Sequence, residues 1–226
     1  MNLNPDINML EQSEIESKIQ KACKISKRDR SLVEMIAVSK RQPNELVKAA
    51  LDRGFRSFGE NQVQEAYIRW NSLKPLYPTL RLHLIGTLQS NKAADAVRLF
   101  DFIHTIDRDK IAKTLSLEMK KQNKNLPCFI QVNTGCEPQK SGIEPKHAAE
   151  FSKICINDYG LQIIGFMCIP PIDEDGSPHF GFLKQLASKV KLNCLSMGMS
   201  SDFEDAIKLG ATHIRIGTAF FGNRKH

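Results

Sequence analysis

The stretch "MIAVSKRQP", Met35 to Pro43, runs through apolar residues and then stops on an amine, Lys40. A lysine at the mouth of an apolar fold feels two opposed effects, since desolvation lowers its pKa and a nearby anion raises it. Where desolvation dominates, the neutral amine can condense with a carbonyl. A lysine paired with Glu60, or one whose head snorkels into water, accounts for the same residue. Far along the chain, Arg215 lies between Ile214 and Ile216 in a run that reads as a strand covered on both faces. A buried guanidinium keeps its proton and requires acceptors. A carboxylate would serve, and so would a ligand heteroatom.

Two glycine-containing turns flank this arginine. In "LSMGMSSDFEDAI", Ser201 to Glu204 has the spacing of a capping box, which would start a helix directly after the turn with backbone N–H groups facing an anion. "RIGTAFFG" brings Gly217 and Thr218 directly after the last strand candidate. The two turns should converge on one phosphate, held by Ser200, Gly217, Thr218 and nearby amides, unless both are ordinary tight turns with a cap. Phosphate site, strand-end lysine and strand arginine together suggest pyridoxal phosphate, which carries an aldehyde, a phosphate and a ring nitrogen.

These residues need strands to hold them at one end of a sheet. Apolar runs alternate with helix-period segments, and the strand candidates are "MIAVS", "SFGEN", "RLHLIG", "FIHTID", "PCFIQVN", "LQIIGFMCI", "NCLSMG" and "THIRIG". Helix candidates include a first helix from about Asp6 to Ser26, "PNELVKAALDRG", and "DRDKIAKTLSLEMKKQNKN" with Asp107 or Asp109 as its cap. Such alternation predicts an α/β fold, a single (β/α)8 TIM barrel over residues 1–226 with an extra N-terminal helix; a doubly wound sheet is the runner-up. In a parallel sheet ligands sit where strands end, and those ends carry Lys40, Asn61, His83, Met167, Ser200, Arg215, Gly217 and Thr218. The one irregular stretch, "IPPIDEDGSPHFG" from Ile169 to Gly181, reads as a loop on the ligand face.

Composition narrows the classes. With 41% apolar and 25% charged residues the chain is of the soluble globular kind, and no apolar run or leader-like N-terminus suggests a membrane, so a cytoplasmic location is expected. Six scattered cysteines show no CxxC and no zinc-type Cys/His spacing, which predicts reduced thiols and no metal. The net charge of +7 is spread along helix faces with few aromatics beside it, which argues against nucleic acid and suits a phosphorylated small ligand.

"AVSK", "FGENQVQE", "HLIGTLQSNK", "QVNTG" with "KSGI", "GFM", "LSMGMSSDFEDAI" and "RIGTAFFG" resemble, in the same order, the motifs of the pyridoxal phosphate homeostasis proteins. The resemblance covers nearly the whole chain. It implies a barrel similar to the N-terminal domain of alanine racemase, with pyridoxal phosphate held as a Schiff base on Lys40. It further implies Arg215 at the pyridine nitrogen, Ser200, Gly217 and Thr218 at the phosphate, and Asn61, His83 and Met167 along the ring. Members of this family are regarded as regulators of vitamin B6 balance without an established reaction. The stretch "CIPPIDEDGSPHF" departs from the pattern of many members. A non-catalytic carrier is therefore expected, monomeric, with pyridoxal phosphate-dependent apoenzymes as the recipients such a role would bring. Racemases of this fold use a tyrosine opposite the lysine, whereas Tyr67, Tyr77 and Tyr159 all read as lying away from strand ends, and the chain ends soon after "FFGNRK". An amino-acid racemase using Lys40 with His83 or Cys168 is the alternative, and a Schiff-base aldolase on a sugar phosphate is a third reading.

Overall fold

Alternation at period two decides which side chains fill the middle of this protein and which meet its helices. The computed structural model describes residues 9–222. Its strands are β1 (Glu34–Val38), β2 (Ser57–Glu60), β3 (Arg81–Leu84), β4 (Phe102–Ile106), β5 (Cys128–Gln131), β6 (Ile163–Met167), β7 (Cys194–Ser196) and β8 (His213–Ile216). They pair in parallel and in chain order, and β8 returns to β1 in the register Glu34 with His213 through Ala37 with Ile216, so the sheet closes into a barrel. That closure rules out the doubly wound sheet.

The helices are α1 (Met9–Ile25), α2 (Asn44–Asp52), α3 (Val63–Leu73), α4 (Ala93–Leu99), α5 (Asp109–Lys121), α6 (Pro145–Asn157), α7 (Gly176–Lys189), α8 (Phe203–Lys208) and α9 (Thr218–Phe221). Outward strand residues such as Phe58, Leu82, Ile103, Ile130, Phe166 and Leu195 form one continuous apolar core with them. The complementary set, with Ile36, His83, His104, Phe129, Ser196 and Arg215, is buried in the barrel's interior, which is thus unusually polar.

Helix α1 buries Ile15, Ile19, Ala22 and Cys23, the spacing of a single apolar stripe, and packs on α8 and α9. Arg28 of the following turn donates to the Ile207 carbonyl at the end of α8. Positions 6 to 8 of the expected first helix lie outside the described residues. Two helix starts differ from the sequence reading. Neither Asp107 nor Asp109 caps α5: Arg108 occupies the cap without a side-chain bond, and the buried Asp107 is turned to its guanidinium. The second half of the expected Ile169 to Gly181 loop is helical, because Asp175 caps α7 by accepting from the Ser177 N–H.

The outer face of β2 carries a carboxylate. Glu60, 1% exposed, accepts from the Ser39 hydroxyl at 2.8 Å, Arg69 at 2.7 Å and the Trp70 indole at 2.9 Å through the same oxygen. Arg69 also donates to the Ser39 and Gln42 carbonyls, so α3 clamps the turn that contains Lys40. Removing one partner of a buried pair strands the other charge. An Arg69→Met variant should therefore lose about 3–5 kcal/mol of unfolding free energy, measurable by urea titration, whereas breaking an exposed pair such as Lys113 with Asp109 should leave the urea midpoint almost unmoved.

Candidate functional site

At the C-terminal ends of β1, β2 and β8 the barrel opens into a cleft of about 380 Å³, within the range of small-molecule sites. Lys40, Asn61, Ser200, Arg215, Gly217 and Thr218 line it, together with Val38, Ile85, Ile169, Met199 and Ser201. Sequence-distant segments are thus brought onto one wall. Lys40 extends the inward series Glu34, Ile36 and Val38 beyond β1, and Asn61 stands just past β2, with its Oδ1 buried and without a hydrogen-bond partner. Asn61 is backed closely by Gly86, where an added Cβ would come within 2.1 Å of the Asn61 carbonyl oxygen.

Ser200, Gly217 and Thr218 meet where the loops after β7 and β8 touch. The Gly217 N–H donates to Ser200 Oγ at 3.3 Å, and Thr218 begins the short helix α9. The predicted capping box at Ser201 does not form. Asp202 occupies the cap position of α8, and its carboxylate folds back to accept from the Met199 N–H. The turn is organised by that bond and by Gly198, whose φ of +91° suits a residue without Cβ and whose carbonyl accepts from the Arg215 N–H at 3.0 Å.

Arg215 is 4% exposed, and its two side-chain bonds go to a hydroxyl and a carbonyl rather than a carboxylate: Nη1 to Ser196 Oγ at 2.8 Å and Nη2 to the Cys168 carbonyl at 2.9 Å. Remaining donors of its fork are left for the cleft that it lines. Burial pulls its pKa down from the usual arginine value.

His83 and Met167 do not line the cleft. Both are 0% exposed, and the cleft is lined instead by Ile85 and Ile169, two residues further along each strand. His83 stacks on Phe102 with ring centroids 4.4 Å apart, and bonds to Ser57 and His104. Burial lowers the pKa of His83, brings His104 well below the usual histidine range, and takes His213 to about 4 against the pull of Glu34. Burial works against the charge of Glu34 too, but the bonds it accepts from His83 and Ser57 outweigh it and hold the carboxyl down to about 2.

The fold and the cleft together define a barrel of the alanine racemase type. The sequence pattern of the alanine racemase N-terminal domain matches residues 12–225. The pyridoxal phosphate homeostasis proteins of Aquifex aeolicus and Vibrio cholerae are 36% and 39% identical to the chain, over 95% and 94% of it and 97% and 94% of their own lengths. The chain belongs to the family of pyridoxal phosphate homeostasis proteins. PipY of Synechococcus elongatus, solved with PLP bound, superposes with a TM-score of 0.77 at 33% identity, covering 91% of this chain and all of that one. The alanine racemase of Clostridium difficile matches with a TM-score of 0.69 at 13% identity over 93% of this chain and 58% of its own, a likeness of fold alone.

Histidines buried as neutral rings bind protons less readily in the native chain than in the unfolded one. Stability should therefore rise with pH across the window from about 4 to 6.5 marked by His213, and fall on acidification. Urea midpoints measured along this window check the sign, and His213→Phe should flatten the dependence; equal midpoints throughout would contradict it.

Proposed function

We propose that the chain binds pyridoxal phosphate in this cleft and serves the homeostasis of that cofactor rather than a reaction upon it. The observation that carries this reading is the convergence, on one cleft, of a strand-end lysine, a buried guanidinium with donors to spare, an orphaned amide oxygen and a Ser-Gly-Thr turn pair. The PLP-bound PipY structure, at 33% identity over 91% of this chain, supports the choice of ligand.

When bound, the cofactor supplies an aldehyde able to condense with a primary amine and a ring able to draw electrons from it. In this assignment Lys40 provides the amine. Ser200 and Thr218 would donate to the phosphate oxygens from their hydroxyls, and Gly217 from the N–H that Ser200 Oγ otherwise accepts, so the phosphate takes over the bond between the two loops. Arg215 faces the ring nitrogen, and because it keeps its own proton it offers a hydrogen bond without protonating the ring. Asn61 presents an acceptor that the fold leaves unspent. Ile85, Ile169 and Met199 supply apolar walls for the ring, while His83 and Met167 support that layer from beneath.

The non-catalytic half of the proposal is supported by the absence of a second acid/base group among the described lining residues. Tyr67 is in α3, Tyr77 donates to Asp52, and Tyr159 is bonded to Asp109; none of them lines the cleft. The Cys168 thiol is pushed up to about 12 by burial. His83 is committed to the barrel interior. No helix among the described residues is long and apolar enough to cross a membrane.

Incubation with pyridoxal phosphate followed by borohydride should fix the cofactor on the peptide that contains Lys40, read by mass spectrometry. A Lys40→Ala chain that is still labelled to the same extent would sink the anchor assignment. The loaded protein should exchange no deuterium into the α-carbon of amino acids beyond the rate of free cofactor. Lys40-dependent exchange would restore the racemase.

A further inference from the structure

Inside the barrel a chain of hydrogen bonds runs from the cleft to the opposite rim. Arg215 Nη1 lies 2.8 Å from Ser196 Oγ, Ser196 Oγ 2.9 Å from His104 Nδ1, and His104 Nε2 3.1 Å from His83 Nδ1. His83 Nε2 then reaches Ser57 Oγ at 3.0 Å and Glu34 at 3.3 Å, and Ser57 Oγ lies 2.7 Å from Glu34 Oε1. Six strands contribute, β8, β7, β4, β3, β2 and β1 in turn. Phe102 and Phe129 stack on His83 and His104 and close off the interior around them.

The two ends dictate the direction of every bond. A guanidinium has no acceptor, so Nη1 donates to Ser196. Ser196 Oγ could accept a second bond, so the order is set from the other end. Glu34 takes the Ser57 proton and faces His83 Nε2, so the neutral His83 ring is protonated there and accepts on Nδ1. This puts the proton of the neutral His104 ring on Nε2 and leaves its Nδ1 to accept from the Ser196 hydroxyl. His104 accordingly donates to His83 Nδ1, and His83 carries its own proton on Nε2, aimed at Ser57 and Glu34. Glu34, ionised, can only accept, and it also takes Arg81 at 3.2 Å and His213 at 3.5 Å. No member can reverse without leaving a buried polar atom unpaired.

We propose that Ser196, His104 and His83 are positioning residues for the cofactor: through this one-way chain, anchored on Glu34, they fix which edge of the Arg215 guanidinium is presented to the ligand. The inference rests on the reading that Arg215 faces the ring nitrogen. Nη1 is held by Ser196 and Nη2 by the Cys168 carbonyl, so the fork cannot rotate to follow a ligand. Loss of the Ser196 hydroxyl frees Nη1, and the guanidinium then samples orientations that no longer match a fixed acceptor.

The test compares the dissociation constants of the full chain for pyridoxal phosphate and for its analogue with carbon in place of the ring nitrogen. The wild type should prefer the natural cofactor, and Ser196→Ala should reduce that preference by about tenfold, the contribution of one hydrogen bond to a charged group. His104→Phe, which keeps a ring to stack on Phe129, should do the same. A merely structural role would weaken both ligands equally and leave the ratio alone. Ser196→Ala removes only a hydroxyl and carries the test alone if His104→Phe does not fold. If Arg215→Leu loses the preference but Ser196→Ala keeps it, the inference fails and the reading of Arg215 stands. If Arg215→Leu keeps the wild-type preference, that reading falls and the inference with it.

Discussion

A guanidinium that cannot shed its proton, buried in the middle of a barrel, obliges its surroundings to be polar. Arg215 is satisfied by a serine hydroxyl and a main-chain carbonyl, and the serine is satisfied in turn by a histidine. An interior filled with branched aliphatic residues would have left that charge with the Cys168 carbonyl alone. The demand passes from neighbour to neighbour until it reaches Glu34 at the far rim, where a carboxylate of opposite sign ends it. The phenylalanines stack on His83 and His104, which are fully buried, so the link between Arg215 and Glu34 runs through the protein interior.

The outer face of the barrel supports the site by a different route. Glu60 points away from the interior, yet it holds Ser39 and Arg69, and Arg69 holds the carbonyls on either side of Lys40 and Arg41. Arg41 itself has a φ of +57°, a left-handed conformation that a free turn would rarely keep. Lys40 therefore sits on a backbone fixed from behind by a helix none of whose residues lines the cleft. Lining and support belong to separate layers, and the support is the more deeply buried of the two.

Much of this was legible in the chain because strands and their ends carry strong signals. All eight apolar runs became strands, and the residues just past three of them, Lys40, Asn61 and the Gly217–Thr218 pair, share one cleft. His83 and Met167 were read at the rim, and they lie one layer beneath the residues that line the cleft. A period of two says which face a residue takes but not how far along the barrel axis it lies, and in β3 and β6 the rim falls two residues later, at Ile85 and Ile169. The capping box failed for another local reason. Asp202, adjacent to Ser201, competes for the same role and wins by reaching back to the Met199 N–H. The polar interior was hidden altogether, since His83, His104, Ser196 and Glu34 lie far apart in sequence and only strand closure brings them into line.

The clamp that α3 places on the Lys40 turn also bears on how tightly the cleft can hold a ligand. Where a binding site must first be ordered, apparent affinity is reduced by the fraction of molecules already in the competent shape. Here Arg69 and Ser39 settle that shape during folding, so the ordering entropy is not charged again when a ligand arrives. Apparent affinity at this part of the cleft is then the intrinsic one, undiminished by a fraction of molecules in which the turn has yet to form.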